Sequence, residues 1–594
     1  MCGIVGYIGN KPAQPVLLNC LARLEYRGYD SCGIAVSGSG LELYKDACRV
    51  AELARIVPPL SGVVGIGHTR WATCGQPSAV NAHPHCDCTG SIAVVHNGII
   101  SNFQELRLKL IAEGHRFISE TDTEVLPHLI EKYLNGSLEE AVEAALGDIE
   151  GSYAIVVLRA GEPKLVVARK DSPLVIGVSD QESFAASDVP AILDYTNRVV
   201  YLEEGDIGIV THTGIEIRRN GSRVSRKEHK IPWTVEEAQK AGYPHFMLKE
   251  IHEQPRVVRD TLVGYCQKAE PIADLEGMRD AGIEAMLILA CGTSYHAGLV
   301  GKYIFEELLR VPVRVELASE FNYYPRALAK TMAIVITQSG ETADTVRAAR
   351  RLQEVGCHVL AITNVVGSTI SRLAEQTVYT QAGPEMSVAS TKSFVAQLAA
   401  LYWLVMSYSR ADVKTLADML MGIRLLPGKI QQVLDNKSSI IKYGRYLSGY
   451  ENVFFIGRGI NYPVALEGAL KLKEIAYIHA EGYAAGELKH GPFALLDKNT
   501  PVVAIMTKDN TYGAMLNNVR EIKTRGAPVI ALVEEGDSAI VDIADFVITV
   551  PRVDSIFSPM VNTVALQLLA YYTAQERGCP IDFPRNLAKS VTVE

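Results

Sequence analysis

The sequence opens with Met1-Cys2-Gly3-Ile4-Val5-Gly6, and the expected architecture of the first third of the chain follows from this stretch. A small residue at position 2 favours removal of the initiator methionine, which would leave Cys2 with a free α-amine. The amine and the thiol have ordinary pKa values of about 8 and 8.5, so the amine can take the proton of the thiol near neutral pH. The stretch therefore predicts a strand that begins with a nucleophile and its own base. The alternative is a small buried cysteine on an edge strand.

Composition restricts the class of protein. The chain has 594 residues, enough for three or four hydrophobic cores. Its net charge of -9 comes from 58 basic and 67 acidic side chains without a basic stripe, which argues against nucleic acid and anionic membranes as partners. The longest apolar run, 394–408, is too short to span a bilayer, and no signal segment opens the chain. Eleven irregularly spaced cysteines predict no disulfide framework, so we expect a cytoplasmic protein.

Two kinds of pattern divide the chain. Up to about residue 210, short alternating or apolar runs are bounded by Gly, Pro and Asp, which is typical of stacked antiparallel strands with a few helices. From Gly282 onward, a buried strand, a Gly or Ser turn and a long helix recur. Equivalent turns begin at Gly292 and Gly457, which predicts two copies of one α/β unit with a parallel sheet.

Besides Cys2, the first half of the chain contains three polar stretches with residue types suited to catalysis: His68-Thr69-Arg70-Trp71-Ala72-Thr73, His96-Asn97-Gly98 and Glu120-Thr121-Asp122-Thr123. Together with Cys2 they resemble the N-terminal-nucleophile amidotransferases, which hydrolyse glutamine. The resemblance covers about the first 210 residues. Asp122 or Asn97 taken singly is better explained by a capping or turn role, so the combination carries the inference.

The resemblance implies a role for each of these residues. Arg70 would pair with the α-carboxylate of glutamine through its planar guanidinium, and Asp122 would hold the α-ammonium. Asn97 and the N–H of Gly98 would form an oxyanion hole, worth about 2.7 to 4 kcal/mol per donor in the transition state. Further glutamine contacts and a gate would fall on Thr73, His83 and Trp71.

One position departs from the family pattern. The family usually has Arg-Trp-Ala-Thr-His-Gly, whereas this chain has Cys74 in the run Arg70-Trp71-Ala72-Thr73-Cys74-Gly75. A thiol is a weaker hydrogen-bond partner than imidazole and carries no positive charge near pH 7. Reduced glutamine affinity or turnover and a tolerant position both remain open.

The run His83-Pro84-His85-Cys86-Asp87-Cys88 has the residue types of a metal site. Four soft or borderline ligands in six residues could bind zinc. The spacing of the cysteines is not the customary one, however, and the run is not followed closely by a second ligand pair. We therefore predict no metal here and no organic cofactor.

The second half contains an expected anion cradle. The run Gln338-Ser339-Gly340-Glu341-Thr342 follows a buried strand and precedes a helix, where N–H groups and the helix dipole favour a phosphate. Ser and Thr at such junctions are also common N-caps, and the two roles are compatible. The repeated units resemble the sugar isomerase (SIS) domains that bind phosphosugars. By this resemblance the sugar-phosphate site would comprise Thr293, Ser294, Thr337, Gln338, Ser339, Thr342, Ser390 and Glu467.

The segment 466–474 places Glu467, Lys471 and Glu474 four and three residues apart, on one face of a helix. A solvent-exposed stripe of ion pairs is the alternative explanation. The whole chain resembles the family of isomerising glutamine:fructose-6-phosphate aminotransferases. This implies that Glu474 moves a proton between C1 and C2, that Lys471 lies near the sugar hydroxyls, and that His490 opens the sugar ring. In the family this histidine enters the partner subunit's site, which implies a homodimer.

The end of the chain, 586–594, matches the closing segment of that family. Lys589 would attack the open-chain ketone as a Schiff-base amine, which requires its neutral form. The family passes ammonia from one site to the other through an internal channel, with Trp71 and the tail as gates. The implied reaction converts glutamine and fructose 6-phosphate to glutamate and glucosamine 6-phosphate, the first step of amino-sugar synthesis.

The expected organisation is an α+β N-terminal-nucleophile glutaminase followed by two doubly wound α/β SIS domains. The predicted bounds are 2–217 for the glutaminase, 218–254 for a linker, 255–430 and 431–585 for the SIS domains, and 586–594 for the tail. Three alternatives remain: another ketose phosphate as substrate, a deglycase, or a sugar-phosphate sensor with a decayed glutaminase. Intact Cys2, Arg70 and Asp122 argue against a deglycase. Intact Glu474, His490 and Lys589 argue against a sensor.

Overall fold

The computed structural model of the protein describes residues 2–231, 233–234, 237, 239–266, 284–325, 331–409 and 413–592. The chain divides into two units. The first unit contains residues 1–238 together with 341–343 and 588–594, and the second contains 239–340 and 344–587.

Among its described residues, the first unit has two antiparallel sheets and five α-helices. Its helices are α1 (Ala13–Ala22), α2 (Val50–Ile56), α3 (Phe103–Ala112), α4 (Val125–Tyr133) and α5 (Leu138–Gly147). Its strands are β1 (Gly3–Ile8), β2 (Ser31–Ser37), β3 (Leu41–Asp46), β4 (Val64–Arg70), β5 (His85–Cys86), β6 (Ile92–Ile100), β7 (Gly151–Arg159), β8 (Leu165–Lys170), β9 (Val175–Val178), β10 (Ser183–Ala186), β11 (Arg198–Tyr201), β12 (Asp206–Thr211), β13 (Gly214–Arg219), β14 (Ser222–Val224) and β15 (Glu228–Lys230).

The two sheets of this unit stack face to face. One has the strand order β15-β11-β9-β10-β1-β4-β2-β3 and the other the order β14-β13-β12-β8-β7-β6-β5. Their facing side chains, such as Ile4, Ile66, Val156 and Val167, form one buried cluster. Strand β7 also packs its other face on α3, α4 and α5, which explains why 154–158 is continuously apolar. The predicted α+β architecture with stacked antiparallel sheets is confirmed.

Part of the predicted linker 218–254 is strand. Residues 218–219 end β13, β14 and β15 lie wholly within the range, and all three strands pair in the sheets of the first unit. Asn220 and Gly221 connect β13 to β14 with φ angles of +50° and +73°, the left-handed pair that a tight Asn-Gly hairpin turn requires. The charged composition that suggested a connector belongs instead to exposed edge strands, where charge prevents unwanted pairing.

The second unit carries two parallel sheets and most of the long helices. Its strands are β16 (Ala285–Ala290), β17 (Val313–Leu317), β18 (Thr331–Ile336), β19 (His358–Thr363), β20 (Gln376–Tyr379), β21 (Asn452–Gly457), β22 (His479–Ala484), β23 (Val502–Met506), β24 (Val529–Glu534) and β25 (Phe546–Val550). The helices from residue 246 onward are α6 (Phe246–Cys266), α7 (Gly292–Leu309), α8 (Ala318–Phe321), α9 (Ala343–Glu354), α10 (Thr369–Leu373), α11 (Lys392–Tyr408), α12 (Val413–Asp435), α13 (Ser438–Leu447), α14 (Tyr462–Ala476), α15 (Tyr512–Thr524) and α16 (Ser558–Glu576).

The two parallel sheets repeat one topology. Their strand orders, β17-β16-β18-β19-β20 and β22-β21-β23-β24-β25, are the same doubly wound order. The order reverses between β16 and β18 and again between β21 and β23, and ligands of such sheets bind outside the carboxyl ends of the strands at that point. The predicted duplication is confirmed. The expected boundary between the copies, 430/431, falls inside α12, so it does not separate two chain segments structurally.

The apolar run 394–408 forms most of α11, and its residues are mostly buried against the core of the second unit. Within the part of the chain that the structure describes, none of the helices combines the length and the apolar composition needed to cross a bilayer.

Candidate active sites

Cys2 lies directly before β1, where it meets two of the predicted polar stretches. The backbone N–H of Trp71 donates to Sγ of Cys2 at 3.2 Å. Asn97 donates its Nδ2–H to the carbonyl of Cys2 at 2.9 Å. Strand β1 pairs on both sides, with β10 and with β4. The alternative of a cysteine on an edge strand is therefore wrong.

The environment of Cys2 does not by itself produce a thiolate. Burial raises the pKa of the Cys2 thiol, and the N–H of Trp71 with the positive charges of Arg70 and Arg27 only partly opposes this. A nucleophile in this position needs a base that takes its proton. Removal of Met1 would place an α-amine on Cys2 itself, within reach of the thiol.

A buried histidine orients the side chain of Asn97. Nε2 of His68 lies 3.1 Å from Oδ1 of Asn97 and 3.0 Å from the carbonyl oxygen of His96. Both neighbours are acceptors, so Nε2 carries the proton and donates to them. Burial lowers the pKa of His68 to about 3, which keeps the ring neutral. With Oδ1 occupied, Nδ2 of Asn97 is left to point toward Cys2.

Arg70 and Asp122 are each held by a hydrogen bond to the backbone, and each can still bind a ligand. Nη2 of Arg70 donates to the carbonyl of Cys74 and, at 2.9 Å, to that of Gly75. Among the described residues, its buried Nη1 has no hydrogen-bond partner. A buried guanidinium nitrogen without an acceptor is costly, so this atom is suited to a ligand carboxylate. Oδ2 of Asp122 accepts from the N–H of Ile100 at 2.9 Å, which holds the carboxylate in place.

The other predicted glutamine contacts differ in exposure. Thr73 is exposed, and Trp71 is half-buried with its ring edge-on to Tyr29 at 5.8 Å between centroids. His83 is 4% exposed, and its ring stacks on that of His68 with 4.1 Å between the ring centroids. It therefore packs against the histidine that orients Asn97. Its direct contact with glutamine stays a prediction, as do the roles of Thr73 and Trp71.

Two small residues, Gly98 in β6 and Cys74 in the segment after β4, lie next to these groups. Gly98 has φ +136°, and a Cβ there would lie 2.0 Å from the carbonyl oxygen of Ser152, so only glycine fits. The Sγ of Cys74 donates to the carbonyl of Glu120 at 3.4 Å, two residues before Asp122. Cys74 thus keeps a hydrogen bond to the segment that carries the predicted ammonium ligand.

In the second unit, the three residues that the sequence analysis places on one face of α14 are largely removed from water. Glu467 and Lys471 are fully buried, and Glu474 is half-buried. Nζ of Lys471 lies 2.5 Å from Oε2 of Glu474 and 3.4 Å from Oε1 of Glu467. The alternative of an exposed ion-pair stripe is therefore wrong, because buried charges of this kind occur when they are paired or functional.

This buried cluster includes residues of the first repeat. Thr293 donates its hydroxyl to Oε1 of Glu467 at 3.1 Å and accepts from Nζ of Lys471 at 3.1 Å. Nδ1 of His296 lies 2.8 Å from Oε2 of Glu467. Burial would lower the pKa of Lys471, but Glu467 and Glu474 raise it overall, so the ammonium persists. The sequence analysis did not predict His296. The only indication in the sequence is that His296 lies three residues after Thr293, one turn further along α7.

The expected anion cradle lies at the switch point of the first parallel sheet. Thr293 and Ser294 occupy the first turn of α7, whose N-cap is Cys291, so neither is the N-cap itself. The hydroxyl of Ser294 accepts from Nε2 of Gln397 at 3.0 Å. The hydroxyl of Thr337 accepts from the N–H of Gly340 at 3.3 Å.

The remaining predicted sugar-site residues are placed as follows. Gln338, Ser339 and Ser390 are half-buried, and His490 is exposed at the end of a short 3-10 turn. Thr342 and Lys589 fall in the first unit. The structure thus brings Thr293, Glu467, Lys471 and Glu474 into one cluster, while the sugar contacts of all the predicted residues stay predictions.

Comparison with protein families assigns both units of the chain. A model described as a glutamine amidotransferase domain matches residues 68–194. A model described as an SIS domain matches 281–407 and again 446–577. The protein therefore combines a glutamine amidotransferase domain with a repeated SIS domain.

Full-length relatives narrow this class. The curated glutamine–fructose-6-phosphate aminotransferase (isomerizing) of Methanosarcina acetivorans is 50% identical over the whole of both chains. That of Caldanaerobacter subterraneus subsp. tengcongensis is 48% identical, also over the whole of both. A solved structure, the C-terminal domain of glucosamine-fructose-6-phosphate aminotransferase from Francisella tularensis, covers 58% of this chain and 99% of its own, with 36% identity and a TM-score of 0.55. The chain belongs to the family of isomerizing glutamine–fructose-6-phosphate aminotransferases, and the expected family is confirmed.

Proposed function

We propose that the protein converts L-glutamine and D-fructose 6-phosphate to L-glutamate and D-glucosamine 6-phosphate. The observation that carries this proposal is the pairing of two sites in one chain. Cys2 with Asn97 and Arg70 suits amide hydrolysis, and the Glu467–Lys471–Glu474 cluster at paired SIS domains suits a ketose phosphate. A sugar-phosphate sensor would have no use for the supported oxyanion donor.

In the first half-reaction, the α-amine of Cys2 takes the thiol proton and Sγ attacks the amide carbon of glutamine. Asn97 and the N–H of Gly98 would stabilise the oxyanion, because His68 already orients the amide. Nη1 of Arg70 would take the α-carboxylate and Asp122 the α-ammonium. The α-ammonium of Cys2 returns the proton to the amide nitrogen, which leaves as ammonia, and water then hydrolyses the thioester to release glutamate.

In the second half-reaction, His490 would open the sugar ring and Lys589 would form an imine with the ketone. Ammonia then displaces Lys589, and Glu474 moves a proton between C1 and C2 to give the amino aldose. The phosphate would bind the loops after β16 and β18, at Thr293, Ser294, Thr337, Gln338, Ser339 and Thr342, together with Ser390 from the segment before α11. The buried Glu467–Lys471 pair positions Glu474, since Lys471 contacts its carboxylate at 2.5 Å.

The assembly and compartment form part of the same proposal. We place His490 in the partner subunit's site of a homodimer, which its exposure permits. Among the described residues the cysteines are unpaired, in agreement with a reducing cytoplasm. Ammonia would reach the ketose without release, with Trp71 and the tail 586–594 as gates.

The experiment uses the full chain with Met1 removal verified by mass spectrometry. Glutamine and fructose 6-phosphate are added, and glutamate and glucosamine 6-phosphate are followed together. We expect equal amounts of the two products. Folded protein that forms glutamate but no amino sugar would refute the proposed transfer.

Two variants separate the half-reactions. Cys2→Ala should abolish glutamine-dependent synthesis while fructose 6-phosphate still binds, because the nucleophile lies far in sequence from the SIS domains. Cys48→Ser, at a cysteine outside the site, should keep full activity. Unchanged synthesis in Cys2→Ala would show that another group cleaves glutamine.

A further inference from the structure

Four ligand-type side chains of the first unit meet at a place that the proposed reaction does not use. We call Cys88, His115, His128 and Glu131 the 88–131 cluster. Their donor atoms all lie within 4.8 Å of one another. Cys88 is exposed, His115 and Glu131 are half-buried, and His128 is buried. The cluster therefore lies at the surface and is anchored by His128.

The distances within the cluster agree with a shared cation. Sγ of Cys88 lies 3.6 Å from Nδ1 of His115 and 3.5 Å from Nδ1 of His128. Oε2 of Glu131 lies 3.0 Å from Nδ1 of His115 and 3.5 Å from Nδ1 of His128. Ligands of a tetrahedral zinc ion, with bonds of about 2.0 to 2.3 Å, are separated by about 3.3 to 3.7 Å.

The local structure holds these donors in place from several elements. Cys88 lies in the turn after β5, His115 follows α3, and His128 and Glu131 are three residues apart on one face of α4. The N–H of Arg116 donates to Sγ of Cys88 at 3.4 Å. Behind His128, Nε2 faces Oε1 of Glu124 at 3.9 Å, the position in which a carboxylate commonly supports a metal-bound histidine.

We propose that the 88–131 cluster binds one divalent transition-metal ion, with zinc as the best fit. Thiolate, two imidazoles and a carboxylate form the mixed donor set that suits zinc. Four protein ligands leave no open position for water or substrate, so the ion is structural. It is distinct from the zinc site considered for 83–88, because only Cys88 of that run takes part.

The ion would fix the loop that carries the predicted ammonium ligand. It would join the β5–β6 turn to the middle of α4, and the segment 119–124 lies directly before that helix. Glu124 holds this segment through the N–H groups of Ile118 and Ser119, each at 2.7 Å. Asp122 lies within it. A bound metal should therefore lower the KM for glutamine, a consequence that rests on the proposed function, whereas metal binding does not.

The test measures metal on the full chain. Protein purified without added chelator is analysed by mass spectrometry for zinc, then stripped and titrated with Zn²⁺ and with Co²⁺. We expect zinc in equimolar amount, and with Co²⁺ the absorption of tetrahedral cobalt together with a thiolate-to-cobalt band. Cys88→Ser should remove that band and weaken zinc binding by more than about tenfold.

Cys86→Ser is the matched control, since Cys86 is two residues away and outside the cluster. It should keep both the zinc and the cobalt band. A protein that binds no zinc and whose thermal midpoint does not rise with Zn²⁺ overturns the proposal. Zinc that survives equally in Cys88→Ser and His128→Gln overturns it as well, because the ion would then be held elsewhere.

If zinc binds at the cluster but the KM for glutamine is the same with and without it, the metal site stands and its link to Asp122 fails. If zinc binds and glutamine is not hydrolysed at all, the proposed function fails independently of the metal site.

Discussion

At the scale of single residues, the arrangement around Cys2 depends on side chains that support others. Asn97 can aim its amide N–H groups only because His68 occupies its carbonyl oxygen at 3.1 Å. His68 is a positioning residue in this sense, since it does not contact Cys2 or the expected substrate atoms. Its contribution is therefore expected in turnover rather than in glutamine affinity.

His68→Phe should lower kcat for glutamine hydrolysis by about tenfold to hundredfold, less than the loss of an oxyanion donor itself, with KM nearly unchanged. The ring shape is kept, but the proton that orients Asn97 is lost. Steady-state kinetics of glutamate release measure both constants. The exposed His212→Phe serves as control, and a rise in KM without a fall in kcat would contradict the positioning role.

Cys74 differs from the histidine that its family usually has at this position, but its side chain still makes a hydrogen bond. Its thiol still donates to the carbonyl of Glu120 at 3.4 Å. Because the backbone of Cys74 also accepts from Arg70, the position acts through the main chain whichever side chain it carries.

At the scale of elements, α14 shows that a sequence pattern gives the spacing of residues on a helix but not what surrounds them. Residues 467, 471 and 474 do share one helix face. The face is buried, however, because α14 packs between β22 and α16 of its own repeat and against α7 of the other. Neighbours so distant in sequence are not visible in a local pattern.

Lys471→Met should lower the stability of the second unit by about 3 to 5 kcal/mol, since it leaves the buried Glu467 without its cation. Calorimetric unfolding of the full chain measures this loss. Lys473→Met, at an exposed position of the same helix, should change stability by less than about 0.5 kcal/mol. Addition of Glu467→Gln to Lys471→Met should restore part of the loss, and the absence of any recovery would contradict the pairing.

The buried histidines of the first unit couple its stability to pH. Burial lowers the pKa of His68 to about 3 and that of His83 and His85 well below the ordinary value of 6.5. In the unfolded chain these rings take up protons below pH 6.5, whereas in the folded unit they stay neutral, so acid favours unfolding.

The free energy of unfolding should therefore be fully maintained above pH 7 and should decrease as the pH falls below 6.5. Each such histidine contributes a limiting slope of about 1.4 kcal/mol per pH unit. Unfolding midpoints at pH 7.5, 6 and 5 measure the trend. His68→Phe should make it shallower and His212→Phe should not; equal slopes in all three proteins would exclude this source.

At the scale of the molecule, the chain combines two units built on different principles. The antiparallel sandwich surrounds the predicted nucleophile, and the two parallel sheets present the predicted sugar residues at a switch point. The repeat matters here because Thr293 of one copy hydrogen-bonds Glu467 of the other. Neither copy alone would contain the cluster.

The proposed donation of His490 across a homodimer can be tested by mixing subunits. His490→Ala and Glu474→Ala should each be inactive alone. After dissociation and reassociation of an equal mixture, heterodimers contain one intact site each, so activity should return to about a quarter of the unaltered enzyme. No recovery in a mixture shown to contain heterodimers would place both residues in the same subunit's site.

Local sequence was sufficient for the fold class and the repeat, whereas the roles of the expected site residues came from a resemblance to a known family and stay predictions. Some patterns depend only on residues within a few positions of one another and can be recognised directly in the sequence. These are the alternation of apolar residues, the order of strand, turn and helix, and the motifs around Cys2, Arg70, Asn97 and Asp122. The Asn220-Gly221 turn was not predicted, because the charged composition of 218–254 favoured a connector.

Tertiary packing determined which residues from different elements are neighbours in space. The support of Asn97 by His68, the burial of Glu467 with Lys471, and the meeting of Cys88 with His115, His128 and Glu131 join residues from separate elements. Their spacing in the chain reflects only the lengths of the intervening strands and helices. Burial and charge pairing are properties of the folded environment, so the same residue types have different pKa values and roles once the chain has folded.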